Sequence, residues 1–314
     1  MDSAEEIRQL PLPNSSPVLG VSIVNYFSHA SVELLLESLS DFARDATVQV
    51  VIVDNSQDLE RRECQRLNEI ASRFANSRLR IEVLAAKSNL GYGAGNNLGV
   101  ARLIETGSTF LWVLNPDTTV SGSAEALIAE ASKSPQALWS TVTQENGVTS
   151  NGLGLLSTLT GQATASSRHE VEVSRYSLHY PGGHSIIFSL DAWRQLNGFD
   201  EDYFLFMEEA DLTLRSWQIG IAIGTVKSVT VHHDQGLTTG SSTDVRSKSL
   251  LAFTEATKSR MVFFRKRYPF RVPVIVLIRS GYIARVLTKG NIAGAKAIAK
   301  GIFIGLSKKL TSGV

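Results

Sequence analysis

The chain is poor in the features that would place it outside the cell or across a membrane. Its 314 residues include one cysteine, Cys64, so no disulfide can form within the chain, as expected for a protein of a reducing compartment. No apolar run approaches the roughly 20 residues that a spanning helix needs, and near the C-terminus the longest is Val274 to Ile278. The first seventeen residues, MDSAEEIRQLPLPNSSP, contain no apolar stretch of signal-peptide length, and residues 1–16 are expected to form a flexible lead-in. The end of the chain lacks acid altogether: no Asp or Glu follows position 255, whereas 13 of the 31 Lys and Arg do. The remainder then carries 18 basic against 30 acidic residues, so a net charge of +1 conceals an acidic body and a basic tail. Such a tail suits an anionic surface, and the absence of any known nucleic-acid-binding module turns that expectation toward a membrane.

What is present is a core-forming composition, 43% hydrophobic and 19% charged, enough for one large domain with an appendage. Continuously apolar, β-branched segments at 18–26, 48–53, 79–84 and 109–114 read as strands. Helix-like stretches at 31–43, 59–74 and 93–106 separate them. This alternation predicts an α/β fold with a mostly parallel sheet covered on both faces. The second half is less regular. Residues 144–180 read as loops or an edge hairpin, 189–196 and 208–219 as helices, 221–226 and 228–233 as strands, and 241–248 as a mobile loop. The expected organisation is a lead-in at 1–16, a catalytic domain at 17–245 and a basic amphipathic helical region at 246–314. The domain divides into a nucleotide-binding half at 17–120 and an acceptor half at 121–245.

Polar residues collect where strands of an open α/β sheet end, which is where such sheets bind ligands. Asp54 and Asn55 end the second strand, and Asp54 could accept a hydrogen bond from a nucleoside or serve as a turn residue. The run Asn89-Leu-Gly-Tyr-Gly-Ala-Gly-Asn-Asn-Leu-Gly99 opens a helix. It has neither dinucleotide-fold glycine spacing nor the Lys-Ser/Thr of a P-loop, which disfavours a dehydrogenase. Its glycines would let backbone approach a ligand, and they would equally allow tight helix packing. Asn115-Pro-Asp117 ends the fourth strand, where a carboxylate can hold a divalent cation or simply complete a turn. Glu208, Glu209 and Asp211 crowd a helix start that favours negative charge, behind the apolar stretch Tyr203 to Met207. Burial there would raise a carboxyl's pKa and suit a general base, and Arg215 has Asp211 as a helical ion-pair partner. His232 and His233 close the last strand on opposite faces, so one of them at most joins a given site.

In this order the motifs Asp54-Asn-Ser, Asn89 to Gly99, Asn115-Pro-Asp117, Gly198-Phe-Asp through Met207-Glu-Glu-Ala-Asp-Leu to Arg215, and His233-Asp-Gln-Gly236 resemble glycosyltransferase family 2, closest to its rhamnosyltransferase-like members, over about residues 18–240. The resemblance implies a GT-A fold and an inverting transferase that needs Mg²⁺ or Mn²⁺. It makes Glu209 the catalytic base, in place of the usual Asp, with Glu208 and Asp211 as candidate support. Asp117 and His233 would hold the metal, with Asn115 standing where the family's first metal-motif Asp usually lies. Asp54, Asn55, Asn89, Gly91, Tyr92, Gly93, Asn96, Asn97 and Arg215 would contact nucleotide and sugar. The donor implied is dTDP-L-rhamnose, with UDP- and GDP-hexoses as alternatives. The acceptor would be a glycan or polyprenyl-linked saccharide of cell-surface polysaccharide synthesis. A nucleotidyltransferase would want a basic glycine-rich loop early in the chain, which 24–29 lack. A non-catalytic nucleotide-sugar-binding subunit stays open, as does a homo-oligomer. The expected setting is cytoplasmic, peripheral on the inner face of the membrane. There Arg265, Lys266, Arg267 and Arg271 among aromatics, and Lys296 and Lys300 among isoleucines, would meet anionic lipid.

Overall fold

The computed structural model describes residues 17–58, 60–134, 137–168, 170–233 and 248–311. The expected lead-in 1–16, the loop 241–247 and the stretch Asp234-Gln-Gly236 therefore lie outside the described residues, as does the expected domain boundary at 245. In the first half, β1 (Leu19–Asn25), β2 (Val48–Asp54), β3 (Leu79–Ala85) and β4 (Phe110–Leu114) alternate with α1 (His29–Phe42), α2 (Arg62–Phe74) and α3 (Gly91–Glu105). The strands lie parallel in the order β3-β2-β1-β4, with Asn25 level with Asp54 where β1 and β2 end. Continuous Val/Ile/Leu runs suit this position because β2 and β4 are buried along their whole length.

The second half holds more strand than its sequence suggests. It comprises β5 (Thr118–Ser121), α4 (Ala124–Ala131), β6 (Ala137–Glu145), β7 (Val148–Ser150), β8 (Leu153–Ser157), β9 (Ala163–Ala165), β10 (Ser177–Pro181), β11 (Ser185–Ser189), α5 (Leu190–Leu196), α6 (Glu208–Gln218) and β12 (Ala222–His233). The stretch expected as loops contributes a three-stranded antiparallel sheet, β10-β8-β9. Beyond β4 the main sheet continues β11-β6-β12-β5, with β7 beside β6. β11 runs antiparallel to both neighbours and β12 runs parallel to β6, so most strands share one direction. The two strands expected at 221–226 and 228–233 are one strand with a register shift between Val226 and Thr230.

Two apolar layers cover the sheet. One joins α1, α2 and α4 through Leu35, Leu39, Leu67 and Leu127, and the other joins α3, α5 and α6 through Leu103, Trp193 and Leu212. Because β11 is antiparallel to β4, it begins where β4 ends, with Ser185 level with Leu114. The turn before β11 thus shares an edge with the ends of β1, β2, β4, β6 and β12.

The C-terminal region is helical, as expected, in α7 (Leu250–Arg267), α8 (Val272–Thr288) and α9 (Ile292–Ser307). α7 is docked on the body, with Met261, Val262, Phe263 and Phe264 buried against Leu156, Leu178, Tyr203 and Leu214. Each such side chain contributes about 1.5–3 kcal/mol. α9 lies close against α7 because Gly301 and Gly305 carry no side chain: a Cβ at 301 would sit 2.6 Å from the Thr254 carbonyl oxygen, and one at 305 would sit 2.5 Å from Met261. This packing engages the basic groups of the 265–271 cluster within the protein, while Phe270 among them is 97% exposed. Lys266 pairs with Asp200 and Asp202, Arg267 with Asp211, Arg265 donates to the carbonyls of Gly305 and Lys308, and Arg271 donates to those of Thr158 and Arg175. Phe263 and Phe264 are fully buried. The outward faces of α8 and α9 keep the amphipathic character: Leu277 is 73% exposed and Phe303 72%, beside exposed Lys296 and Lys300. Among the described residues no helix is long and apolar enough to cross a membrane.

Candidate active site

The strand ends form a connected polar edge. At the first, Asn25 donates to Asp54 at 3.4 Å and to Glu63 at 3.0 Å, and Glu63 also meets His29 at 2.8 Å. Asp54 accepts from the Ser56 amide at 3.0 Å and is 5% exposed. Asn55 donates to the Gly91 carbonyl at 2.9 Å, while its own buried Oδ1 has no partner. Exposed Tyr26 and Phe27 follow β1 with ring centroids 5.1 Å apart, an aromatic surface against which a base could stack.

The glycine-rich segment is helical from Gly91, two residues before the expected start. α3 starts at Gly91, whose φ of +79° and 2.1 Å clearance from the Phe204 carbonyl admit no side chain. A Cβ on Gly93 would press on Phe199, and one on Gly95 on Val24 and Asn55. Asn89 accepts from the Gly91 amide at 3.0 Å. Asn96 is 1% exposed, bonded to Ser22 and to the Tyr92 carbonyl, and Asn97 clasps both the amide and the carbonyl of Phe199. The hydrogen-bonding groups of both amides thus fix α3 to its surroundings, which is a structural duty in place of the nucleotide contact expected of them.

The same correction reaches two more residues. Asp211 is fully buried and accepts from Tyr203 at 3.1 Å, Arg215 at 2.8 Å and Arg267 at 2.7 Å. Arg215 also donates to the carbonyls of Leu196 and Gly198. Together they tie α6 to α5 and α7 and leave nothing for a substrate. A cavity of about 650 Å³ bounded by Asn97, Trp193, Gly198, Arg215, Arg267 and Thr311 contains none of Asp54, Asp117, Glu209 or His233.

Glu208 and Glu209 differ. They follow Phe206 and Met207, two consecutive non-glycine residues at φ of +70° and +75°, a conformation that costs about 1–2 kcal/mol each. That bend starts α6 so that the Glu209 carboxylate lies against the Gly183 backbone in the turn before β11, whose amide favours its charged form. A Cβ on Gly183 would lie 2.3 Å from Glu209 Oε1, so glycine is what allows the approach. Burial raises the Glu209 carboxyl to about 7, against the opposing pull of backbone amides. Burial, with the charge of Glu209, also raises Glu208 well above the usual carboxylate range, and its buried Oε2 has no partner. Both carboxyls thus hold their protons more tightly than an exposed glutamate would. Tyr92 donates its hydroxyl to the Gly183 carbonyl, at 2.5 Å, closing the same turn.

The next residue in the turn, His184, links this carboxylate to Asp117. His184 stacks on His233 with centroids 4.7 Å apart and meets Thr143 at 2.8 Å. Burial, then the neighbouring His233, push it down to about 3, so it stays neutral. His233 Nε2 lies 3.7 Å from Asp117 Oδ1 and its Nδ1 lies 3.7 Å from Glu145 Oε1. His232 turns away toward Ser121, at 3.3 Å. A separation of 3.7 Å is too long for a hydrogen bond. Adjacent ligands of an octahedral ion with bonds near 2.1 Å would lie about 3.0 Å apart, so Asp117 and His233 stand near each other as a ligand pair would and must close slightly to share one ion. Among the described residues no group of three or more His, Cys, Asp or Glu could hold a metal alone. The fit is that of a site to be completed by substrate phosphate, as hard cations commonly are. The residues that sequence reasoning missed, Asn25, Gly183, His184 and Glu145, all lie on this edge. The four-residue Pro181-Gly-Gly-His184 between apolar runs was their only local signal.

No family model matches the chain. An N-acetylglucosaminyl-diphospho-decaprenol L-rhamnosyltransferase of Mycobacterium tuberculosis is 29% identical over 249 residues, covering 71% of this chain and 78% of that protein. A low-salt glycan biosynthesis hexosyltransferase of Haloferax volcanii is 24% identical over 69% of this chain and 67% of its own. Among solved structures, residues 1–349 of S. aureus TarS in complex with UDP is similar at TM-score 0.49 and 13% identity, covering 92% of this chain and 88% of that one.

Proposed function

We propose, starting from the premise that the chain is a rhamnosyltransferase-like glycosyltransferase of family 2, that it moves L-rhamnose from dTDP-L-rhamnose to the sugar of a polyprenyl-diphosphate-linked acceptor in cell-surface polysaccharide synthesis. The observation that carries the chemistry is the Gly182–His184 turn. One side of it receives the Glu209 carboxylate, and the other packs on the His233 that faces Asp117. A base and a cation-binding pair thus flank one short segment.

In the reaction, Glu209 takes the proton of an acceptor hydroxyl while that oxygen bonds to the anomeric carbon and the bond from that carbon to the nucleotide diphosphate breaks. One displacement inverts the configuration. A carboxyl raised to about 7 can both accept this proton and release it to water afterwards. Glu208, whose carboxyl burial and the Glu209 charge push up, disfavours a second negative charge at the pair. Neutral His184 holds His233 in place without adding a competing cation. Asp117 and His233 would hold Mg²⁺ or Mn²⁺, which as a Lewis acid stabilises the leaving diphosphate. Asp54 and Asn55, at the end of β2, would meet the nucleoside. The same premise places the protein at the cytoplasmic face of the membrane, with α8 and α9 toward the lipid.

The test is acceptor-independent hydrolysis of dTDP-L-rhamnose, UDP-glucose and GDP-mannose with Mn²⁺ and with EDTA. Release from dTDP-L-rhamnose alone, lost with EDTA, is expected. Preference for a UDP- or GDP-hexose would replace the donor assignment, and no release from any donor would favour a non-catalytic binding subunit.

A further inference from the structure

Around the contact between α7 and α8, three basic side chains are buried or partly buried with no counter-charge among the described residues. Arg260 is 9% exposed; its Nε has no partner, and its Nη1 reaches only the Ala256 carbonyl of its own helix, at 3.3 Å. Arg279 on α8 likewise has a buried, unpartnered Nε. Its Nη2 donates to Thr257 at 2.9 Å, and its guanidinium lies 4.5 Å from the Tyr282 ring. Thr257 is three residues before Arg260, so the two guanidinium groups meet where α7 and α8 touch. Lys248 is partly buried with its ammonium 5.5 Å from the Phe253 ring, which in turn lies 6.5 Å from Tyr282. Among the described residues no carboxylate pairs with any of the three; the nearby Glu255 pairs with Lys258. Burial and mutual repulsion lower Lys248 and bring Arg279 to about 9, and burial lowers Arg260.

Desolvating a cation is unfavourable unless an anion or a set of acceptors compensates it. The last turn of α7 obeys that rule with Asp200, Asp202 and Asp211, so the cluster at the α7–α8 contact stands out. The cluster also borders the proposed active site. The buried Tyr180 hydroxyl is raised by burial and by Glu209 and lowered by Arg260, so it feels the charges of both sites. Exposed Leu250 and Leu251 follow Lys248, and exposed Leu277 and Ile278 precede Arg279, so apolar surface adjoins the cations.

We propose that Lys248, Arg260 and Arg279 form an anion site that receives the phosphate or diphosphate of the acceptor. Guanidinium groups bind phosphate oxygens through paired N–H donors, and two such groups with an ammonium match a diphosphate. That the anion belongs to the acceptor rests on the proposed function; the anion site itself does not.

Calorimetry on the full chain in EDTA, which silences any metal-dependent nucleotide site, tests this with inorganic pyrophosphate and farnesyl diphosphate. Pyrophosphate should bind, and Arg279→Met should weaken it at least tenfold, with Arg279→Lys in between. Farnesyl diphosphate binding tenfold or more tighter than pyrophosphate would identify a lipid-linked source, and equal binding a soluble phosphorylated one. A melting series keeps the test independent of affinity. Without anion, Arg279→Met should melt above the wild type, and it should lose the rise that pyrophosphate gives the wild type. Unchanged affinity in Arg279→Met, or pyrophosphate binding abolished by Asp117→Ala, would overturn the proposal. So would a wild type whose melting ignores pyrophosphate together with an Arg279→Met that melts lower. Absence of donor hydrolysis by the wild type would count against glycosyl transfer and leave the pyrophosphate result standing.

Discussion

The last turn of α7 and the contact between α7 and α8 bury basic side chains in opposite ways. In the last turn, Lys266 and Arg267 meet Asp200, Asp202 and Asp211 at 2.5–2.7 Å. At the contact, Arg260 and Arg279 meet no carboxylate among the described residues. The acids of α6 divide in the same way, since Asp211 is saturated by two arginines and a tyrosine, whereas Glu208 and Glu209 face a glycine turn. Saturated buried charges hold a fold together, whereas unsaturated ones mark candidate ligand sites.

The largest expected effect bears on the unsaturated side. Glu209→Gln should keep donor binding and lose about 10²–10⁴ in turnover, measured by coupled nucleotide release. Near-normal turnover would remove its role as base. The same variant tests the pH dependence. A carboxyl raised to about 7 in the folded state holds its proton where the unfolded chain has lost it. Its contribution to stability is therefore greatest at low pH and is lost as pH rises through about 7. Glu209→Gln should melt above the wild type at pH 8 and converge with it near pH 4, and the wild-type rate should fall on the acid side of about pH 7. A rate flat from pH 5 to 8 would contradict this.

On the saturated side, Asp211→Ala should destabilise by about 3–5 kcal/mol in urea denaturation, because two buried arginines lose their partner. If instead stability held and donor hydrolysis vanished, Asp211 would belong to the reacting set. A smaller effect is expected on the outer face of α9. Lys296→Ala with Lys300→Ala should weaken sedimentation with anionic vesicles by about 2 kcal/mol, roughly 30-fold, without altering melting. Vesicle binding that ignores both lysines would detach α9 from the membrane. The smallest change is Asn97→Ala, which should cost about 1–3 kcal/mol of stability and leave donor affinity intact, as its hydrogen bonds to the 199–201 segment are internal.

The alternation of apolar strands and helices in the first 114 residues was legible because a strand buried on both faces must be continuously apolar. The positions of Asp54, Asp117, Glu209 and His233 were legible too, since each closes a strand or opens a helix. Strands β6 and β11 were not. Their Ser and Thr content hides them, and each is buried only because distant segments lie on either side. Asn96, Asn97, Asp211 and Arg215 read as site residues because amides, carboxylates and guanidinium groups suit ligands and internal tethers equally. Which duty a polar side chain takes depends on what the fold sets within 3 Å of it. Amino-acid type and local pattern thus determined which residues could carry chemistry and roughly where the chain turns. Only the tertiary structure decided which charges were already met, because a partner 56 residues away, as Arg267 is from Asp211, leaves no mark on the local sequence.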